Sequence, residues 1–529
     1  MNKLNVILAG YNVDRDALEE LVKKGTITED DLHNFLTPES ISAAYARISR
    51  DPKSVTELRK ESREDVEQAR KSNRAIVFKM GHHSVAEHAV LNFDVLNISR
   101  LAIETLESQR LCAYTEKSQR YITMEGDYMM PFELRNFENE FIELVEYQNN
   151  KYKEFYPVLK NYFLNDERMI RLVNEVIDAE EEQIGTTFPD EIRANKSVGI
   201  LDGWAKEDAR YVLSLASEGQ LGFTTNARDL EKFIKYTAVH PLAEVQDLGR
   251  QLYELGKEII PSLLLFTEPN DFLKNGKERS NEFIRNQIVP MLQNEKVNYL
   301  RRYLSSVGDS EVRLLDPDRN ADTKLVAMLI KRATGKSFQE SYASASALSY
   351  EHKETIVKKE LENIEQWDAL PREFELPDLT FEVVMSASAF AQFKRHRMMT
   401  LLPQKYNPVK ARNHYTIPPS ISESGLEMKF RNVMYKTQFL FDKVKEKEPF
   451  GADYILTNAH NRSVVFKANA REFYHISRFR EDLHAQWDIR GKANTMADLA
   501  RQAMPLTMML LGGKHEFNKK YKEVYSGDK

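Results

Sequence analysis

A single cysteine in 529 residues, Cys112, leaves no partner for an intramolecular disulfide and no basis for a multi-cysteine metal site. Set between Leu111 and Ala113, it reads as a buried, inert thiol rather than a nucleophile. Basic residues are outnumbered, 75 Lys and Arg against 81 Asp and Glu, for a net charge of −6. A general nucleic-acid surface wants a basic excess, so any anion site here has to be local. No apolar run approaches the roughly 20 residues of a membrane span. The opening Met1–Asp14 is too briefly apolar and too soon acidic for a secretory signal, so the expectation is a cytoplasmic protein without membrane or nucleic-acid partners. Neither G-x-G-x-x-G nor G-x-x-x-x-G-K-[ST] occurs, which leaves a Rossmann dinucleotide site and a P-loop unsupported. What remains, 42% hydrophobic and 29% charged, is the make-up of a globular chain with about two to four domains.

The most telling stretch is Gln392-Phe393-Lys394-Arg395-His396-Arg397. It ends an apolar run from Phe381 and sets two guanidinium groups around an imidazole. Unpaired charge at the end of a buried segment costs roughly several kcal/mol per group, so an anion is expected beside it. Arginine suits phosphate, because its planar fork donates two parallel hydrogen bonds. A helix whose last turn merely carries cations to suit its dipole would give the same letters.

Taken in order, Leu4–Ala9 is a short strand and Val13–Lys24 a helix. Thr37 is the expected N-cap of a helix with Pro38 at its first position, and Ser54–Phe78 reads as one long charged helix. His82-His83-Ser84-Val85-Ala86-Glu87-His88 invites a metal, but His83 and His88 are five apart and neither helix nor strand puts them on one face with Glu87. No metal is expected; a site role for His82 or Ser84 is. A strand Ala89–Val95 and a helix Ser99–Leu111 follow, then a polar loop Leu111–Tyr121 with Glu116, Ser118, Gln119 and Arg120. Residues 132–205 form an inserted helical pair, Leu242–Leu265 is a helix, and residues 268–283 are a linker.

The second half then begins again. Val312–Asp316 mirrors Val6–Ala9, Phe381–Arg397 mirrors Phe93–Arg110, and Asn469-Ala470-Arg471 repeats Asn226-Ala227-Arg228 letter for letter. So long a repeat means two copies of one fold rather than a short-period solenoid. The expected fold is α+β, with copies at 1–267 and 284–529 forming an internal pseudo-dimer.

On these residues the chain resembles the flavin-dependent thymidylate synthases, the ThyX family. The carriers are Arg395-His396-Arg397, Ser118-Gln119-Arg120-Tyr121, the His82–His88 motif, Ile98-Ser99-Arg100, Ala209–Leu213, both Asn-Ala-Arg triplets and Ala485–Arg490. Neither half is complete. The first has Ser108-Gln109-Arg110 where Arg-His-Arg belongs; the second has Lys405 and Asn407 in the serine and arginine positions and Asp453 where the first has Arg210. Arg480 answers to Thr237. The losses are complementary.

The resemblance implies reductive methylation of dUMP to dTMP, with methylenetetrahydrofolate as carbon donor and FAD reduced by NADPH. It implies a nucleotide site in which Gln392, Arg395 and Arg480 meet Glu116, Ser118, Gln119, Arg120 and Arg210, one per chain. In this reading Arg480 and Ser118 are the catalytic pair, Arg480 stabilising charge on the uracil and Ser118 orienting by hydrogen bond. No His–Asp pair is placed to make Ser118 a nucleophile. Flavin contacts are expected from His82, Ser84, Glu116, Arg395, His396, Arg397, Asn469 and Arg471, and two chains are expected to pair. A flavoenzyme for another uridine nucleotide, or a non-catalytic nucleotide-binding relative, stays open.

Overall fold

The computed structural model describes residues 3–25, 27–28, 31–32, 35–292, 310–406 and 414–526. Runs that alternate apolar and polar residues become strands with one buried face. In the first half these are β1 (Asn5–Tyr11), β2 (Val90–Ser99), β3 (Ala113–Glu116) and β4 (Glu218–Asn226), antiparallel in the order β1-β2-β4-β3. In the second they are β5 (Val312–Pro317), β6 (Asp378–Ser386), β7 (Thr400–Pro403) and β8 (Asn461–Asn469), in the order β5-β6-β8-β7. Phe93 lies opposite Phe223 in one sheet and Phe381 opposite Phe466 in the other, with ring centroids 6.0 and 5.5 Å apart. Each aromatic pair anchors its register, because a slip of one residue would turn the ring to the opposite face.

The strand ends position the site. Ser99 and Ser386 close β2 and β6 and cap the helices Arg100–Leu106 and Ala387–Phe393, accepting from Ala102 N and Ala389 N at 3.0 Å. Asn226 and Asn469 do the same for Ala227–Thr237 and Ala470–Arg480. A capping side chain satisfies a donor that the first turn cannot, which fixes where each helix starts and so where its last residue falls.

The halves meet along a seam of matching positions. Ser214 and Thr457, each twelve residues before the capping asparagine of its copy, face each other in an antiparallel bridge. Leu215 N donates to Leu456 O at 2.7 Å and Asn458 N to Leu213 O at 3.0 Å. Glu107 and Lys394, each eight residues after its capping serine, pair at 2.7 Å with side chains 1% and 3% exposed.

Several local expectations need correction. The Ser54–Phe78 helix breaks at Asp65, whose side chain accepts from Gln68 N and starts a new helix. Thr37 is not the formal cap; the helix begins at Glu39 after Pro38, although Thr37 Oγ1 still accepts from Glu39 N. The helix expected over Ser99–Leu111 stops at Leu106, and the loop after it contains β3, held because Tyr114 stacks on Phe223 at 5.4 Å. The helix expected over Leu242–Leu265 is Ala243–Ile259. The insert is three helices, Glu138–Asn165, Glu167–Ile184 and Asp190–Ala209, split where Asp166 caps the second. It packs on the second half through Phe155, Leu159 and Leu201 against Ile421, Phe430 and Val433. Residues 268–283 are helical from Phe272 onward. Among the described residues no helix is long and apolar enough to cross a membrane.

Thr237, the counterpart of Arg480, is fully buried against the helix Ala243–Ile259. A Cβ at Gly249 would stand 1.8 Å from Thr237 Oγ1. Gly249→Ala is expected to destabilise by about 1–3 kcal/mol, read as a lower urea midpoint at unchanged slope. Combining it with Thr237→Ala should recover only part of the loss, because the Cβ at 237 would still stand 2.7 Å away. A neutral Gly249→Ala, or two additive losses, would contradict this packing.

Candidate functional site

The buried helix Ala387–Phe393 ends at Lys394, so the cation run starts where the helix stops. Two first-half carboxylates receive it. Lys394 meets Glu107, while Arg395 Nη2 lies 3.1 Å from Glu107 and 2.8 Å from Glu116 at the end of β3. Burial pulls the Glu116 carboxyl upward, but Arg100, Lys394, Arg395 and Arg210 outweigh it and hold it below its ordinary value. Arg397 reaches Cys112 O, and its own carbonyl accepts from Arg110 Nε at 2.7 Å.

The loop after β3 faces the same corner. Ser118 Oγ accepts from Arg120 N at 3.2 Å, fixing the turn. Gln119, 8% exposed, accepts from Asn458 Nδ2 at 3.2 Å. Arg120 pairs with Glu207 and donates to His484 O at 2.9 Å. Arg210 donates to Ser388 Oγ at 2.7 Å, and its Nε is buried with no partner. Thus Glu116, Ser118, Gln119, Arg120 and Arg210 of the first half stand with Ser388, Arg395, Asn458 and His484 of the second.

Arg480 ends the helix that Asn469 caps, and its Nε donates to His396 Nε2 at 2.9 Å. Among the described residues neither Arg480 nor Arg210 has a carboxylate at ion-pair distance. Burial, then Arg120 and Arg395 nearby, pushes Arg480 down to about 10. Gln392, on the last turn of the buried helix, leaves both amide atoms buried and unpartnered. Unmatched guanidinium and amide groups in one corner are the donor set for an anion with flanking polar atoms.

His396, Glu472 and His475 present ligand atoms within 4.8 Å of one another. The hydrogen bonds argue against a cation there. Because His396 Nε2 accepts from Arg480, its proton sits on Nδ1, which donates to His475 Nδ1 at 3.2 Å and has no lone pair to offer. Burial, with Arg480 and His475 beside it, holds His396 well below its ordinary value and hence neutral.

The expected flavin set is not gathered within one chain. His396, Arg397, Asn469 and Arg471 belong to the second-half face, where Arg471 pairs with Glu375 at 2.7 Å and Asn469 caps its helix. His82 contacts Arg50 at 3.3 Å, and the turn that holds Ser84 packs on Ala227–Thr237, with Glu87 paired to Arg228. The sequence motif is first-half, and within the chain it stays with the first-half triplet.

The opposite corner is filled by its own side chains. Tyr406, counterpart of Gln119, is 3% exposed and donates to Glu104 at 3.0 Å. Arg462 pairs with Glu104 at 2.8 Å and stacks over Tyr406 and Phe390. Asp453 is half-buried and pushed up to about 7 by desolvation, against the pull of Arg462 and Lys405. Lys405 lies over Phe450 at 3.9 Å, Ser108 bonds locally to Thr105 O, and Asn407 lies outside the described residues.

Sequence reasoning missed Glu107, Glu207, Ser388, Asn458 and His475. Only Glu107 carried a signal: aligned copies place it on Lys394, and opposite charges at matched positions suit a two-fold axis, where equivalent residues meet.

A family model described as thymidylate synthase complementing protein matches residues 31–262 and 316–506. A UPF0159 protein of Chlamydia pneumoniae is 22% identical over 427 residues, spanning 79% of this chain and 75% of that protein. A flavin-dependent thymidylate synthase of Clostridium tetani is 27% identical over 240 residues, 44% of this chain and 83% of that enzyme. The solved UMP/dUMP methylase PolB of Streptomyces cacaoi covers 50% of this chain and 94% of its own at 13% identity, and its TM-score of 0.32 is too low to build on. With most of its length inside the two matched segments, the chain belongs to the family of the thymidylate synthase complementing proteins, the flavin-dependent thymidylate synthases.

Proposed function

We propose that the chain is a tandem flavin-dependent thymidylate synthase: two copies of one α+β fold, residues 1–267 and 284–529, form an internal pseudo-dimer with one composite site. Its reaction is the methylation of dUMP to dTMP with methylenetetrahydrofolate and NADPH through FAD. The observation that carries this reading is Arg480, a half-buried guanidinium without an acid, beside Arg120 and Arg395, with an unpartnered Gln392 three residues before Arg395. The self-matching seam at Ser214–Thr457 and Glu107–Lys394 supports the pseudo-dimer. So does the Clostridium relative, most of whose length answers to less than half of this chain.

In this site Arg120, Arg210 and Arg395 take the phosphate, with Gln119 and Ser118 shaping the loop beneath it. Arg480 faces the uracil and stabilises negative charge that develops on the ring, an interaction stronger in the transition state than in the ground state. Neutral His396 holds Arg480 by its Nε and leaves the terminal nitrogens for the ligand. The second-half face would offer a flavin dinucleotide exposed Arg397 and Met398, and Phe479, 40% exposed, with His475 at 4.9 Å from it. There Arg397, Arg471, Asn469 and His396 would hold the cofactor, which supplies the hydride. His82 and Ser84 would come from a second chain, so a homodimer is part of the proposal.

Purified protein is expected to be yellow, to release FAD on denaturation, to have the solution mass of two chains, and to bind one dUMP per chain by calorimetry. Colourless protein, or two equivalent nucleotides per chain, would count against it. Tight binding of a different uridine nucleotide with dUMP excluded would move the assignment to that nucleotide.

Arg480 also yields opposite signs for stability and binding. A cation whose folded value is depressed costs stability wherever it is charged in both states, that is, below about pH 10. Arg480→Gln should therefore raise the melting temperature of the ligand-free protein while weakening dUMP binding by roughly 1.5–3 kcal/mol, the range for a charge-assisted hydrogen bond. A variant that loses both stability and affinity would mean Arg480 is structural.

A further inference from the structure

Between the insert and the second half opens a cleft of about 170 Å³ that is not part of the nucleotide or flavin site. Tyr162, Phe163 and Trp204 from the insert and Trp487 from the second half supply aromatic walls, with Met169 and Leu172 between them. The aromatic surface of this partly open cleft faces water, and an apolar occupant of the right shape would remove it from water. A cavity of about 150 Å³ holds one benzene ring. This one has room for a single substituted ring.

The charges in the wall say what the ring should carry. Glu207 is paired with Arg120. Asp208 accepts from Trp487 Nε1 at 2.7 Å and Ser420 Oγ at 2.5 Å, so both its oxygens are taken. Glu423 is paired with Arg168 at 2.5 Å and accepts from Tyr162 OH at 2.5 Å. Arg490 makes no direct ion pair: its Nη1 donates to Leu483 O at 2.9 Å, and among the described residues no carboxylate lies at ion-pair distance from it, although Glu207 and Asp482 are near enough to favour its charge. Each acid of the wall is held by an ion pair or by direct hydrogen bonds, whereas the guanidinium has one carbonyl acceptor and no direct ion pair.

We propose that this cavity is a binding site for a small planar aromatic carboxylate, the ring held among the four aromatic side chains and the carboxylate on Arg490. The cavity borders the nucleotide corner, since its Glu207 is the partner of Arg120, but the tryptophans and Arg490 that report on it are not among the residues assigned to the nucleotide.

The chain supplies its own probe, since two of its three tryptophans line the cavity and the third, Trp367, is 70% exposed. In a Trp367→Phe variant, which removes the exposed reporter, 4-nitrobenzoate is expected to quench the remaining fluorescence saturably. The uncharged isostere 4-nitrobenzamide should bind at least about tenfold more weakly, the loss of a charge-assisted bond. Adding Arg490→Gln should abolish that preference while leaving quenching by both probes. Purely collisional, unsaturable quenching by 4-nitrobenzoate would falsify the proposal, as would equal affinity for the two probes. A preference that survives Arg490→Gln would do the same. Should Arg490→Gln fail to fold, the two probes on the Trp367→Phe protein decide the question alone.

Discussion

Two first-half carboxylates, Glu107 and Glu116, set the terms for the rest of the molecule. They receive Lys394 and Arg395 across the seam, with Glu107 and Lys394 almost wholly removed from water. Breaking such a pair by losing one partner is far costlier than never having made it, roughly 3–5 kcal/mol, because the survivor stays buried and charged. Neither half can therefore present its share of the corner without the other. The seam gives the site its geometry: it fixes Arg395 at the end of β3, which brings the Ser118–Arg120 loop under the cation run.

The same local rules operate twice with different outcomes. Strand, capping residue and helix recur at Ser99 and Ser386 and at Asn226 and Asn469, so the frame is common to both corners. What differs is how charge and space are settled. At one corner Arg480 and Arg210 are left without acids. At the other, Glu104 with Arg462, and Tyr406 packed beneath it, neutralise and fill the place a ligand would occupy, while Thr237 seats against Gly249 where an arginine stands in the second copy. A corner that gives up its ligand must do both, since an unfilled polar void pays for desolvation and for lost contacts alike.

This division explains what the sequence makes legible. Strands and helix starts are read largely from adjacent letters, although the one cap expected from them, Thr37, is displaced by Pro38. The repeat exposes the complementary losses at Ser108, Lys405, Asp453 and Thr237, so the pairing of halves can be argued from text alone. Long-range facts cannot. Leu111–Tyr121 looks like a solvated loop because nothing nearby announces that Tyr114 will lie on Phe223. The cation run looks wholly in need of an outside anion because Glu107 and Glu116 sit far away in the chain, and half of that need is met internally. His82 and Ser84 carry a recognisable motif, yet a motif does not say which copy, or which chain, it will face.

The His396 imidazole shows why the remaining need is so specific. Had its Nε2 carried the proton, two donors would have faced each other at Arg480 and the guanidinium would have turned away. The acceptor His475 Nδ1 at 3.2 Å stabilises the other tautomer, and burial keeps the ring uncharged, so a neutral acceptor grips Arg480 by its inner nitrogen. Neutrality matters as much as direction, because a second cation at that distance would repel Arg480 and compete for the same anion. An acid in place of His396 would have held Arg480 more firmly but spent its charge. Holding a cation with an uncharged group positions it and leaves its full charge, and its outer pair of nitrogens, for whatever enters beside Arg120 and Arg395.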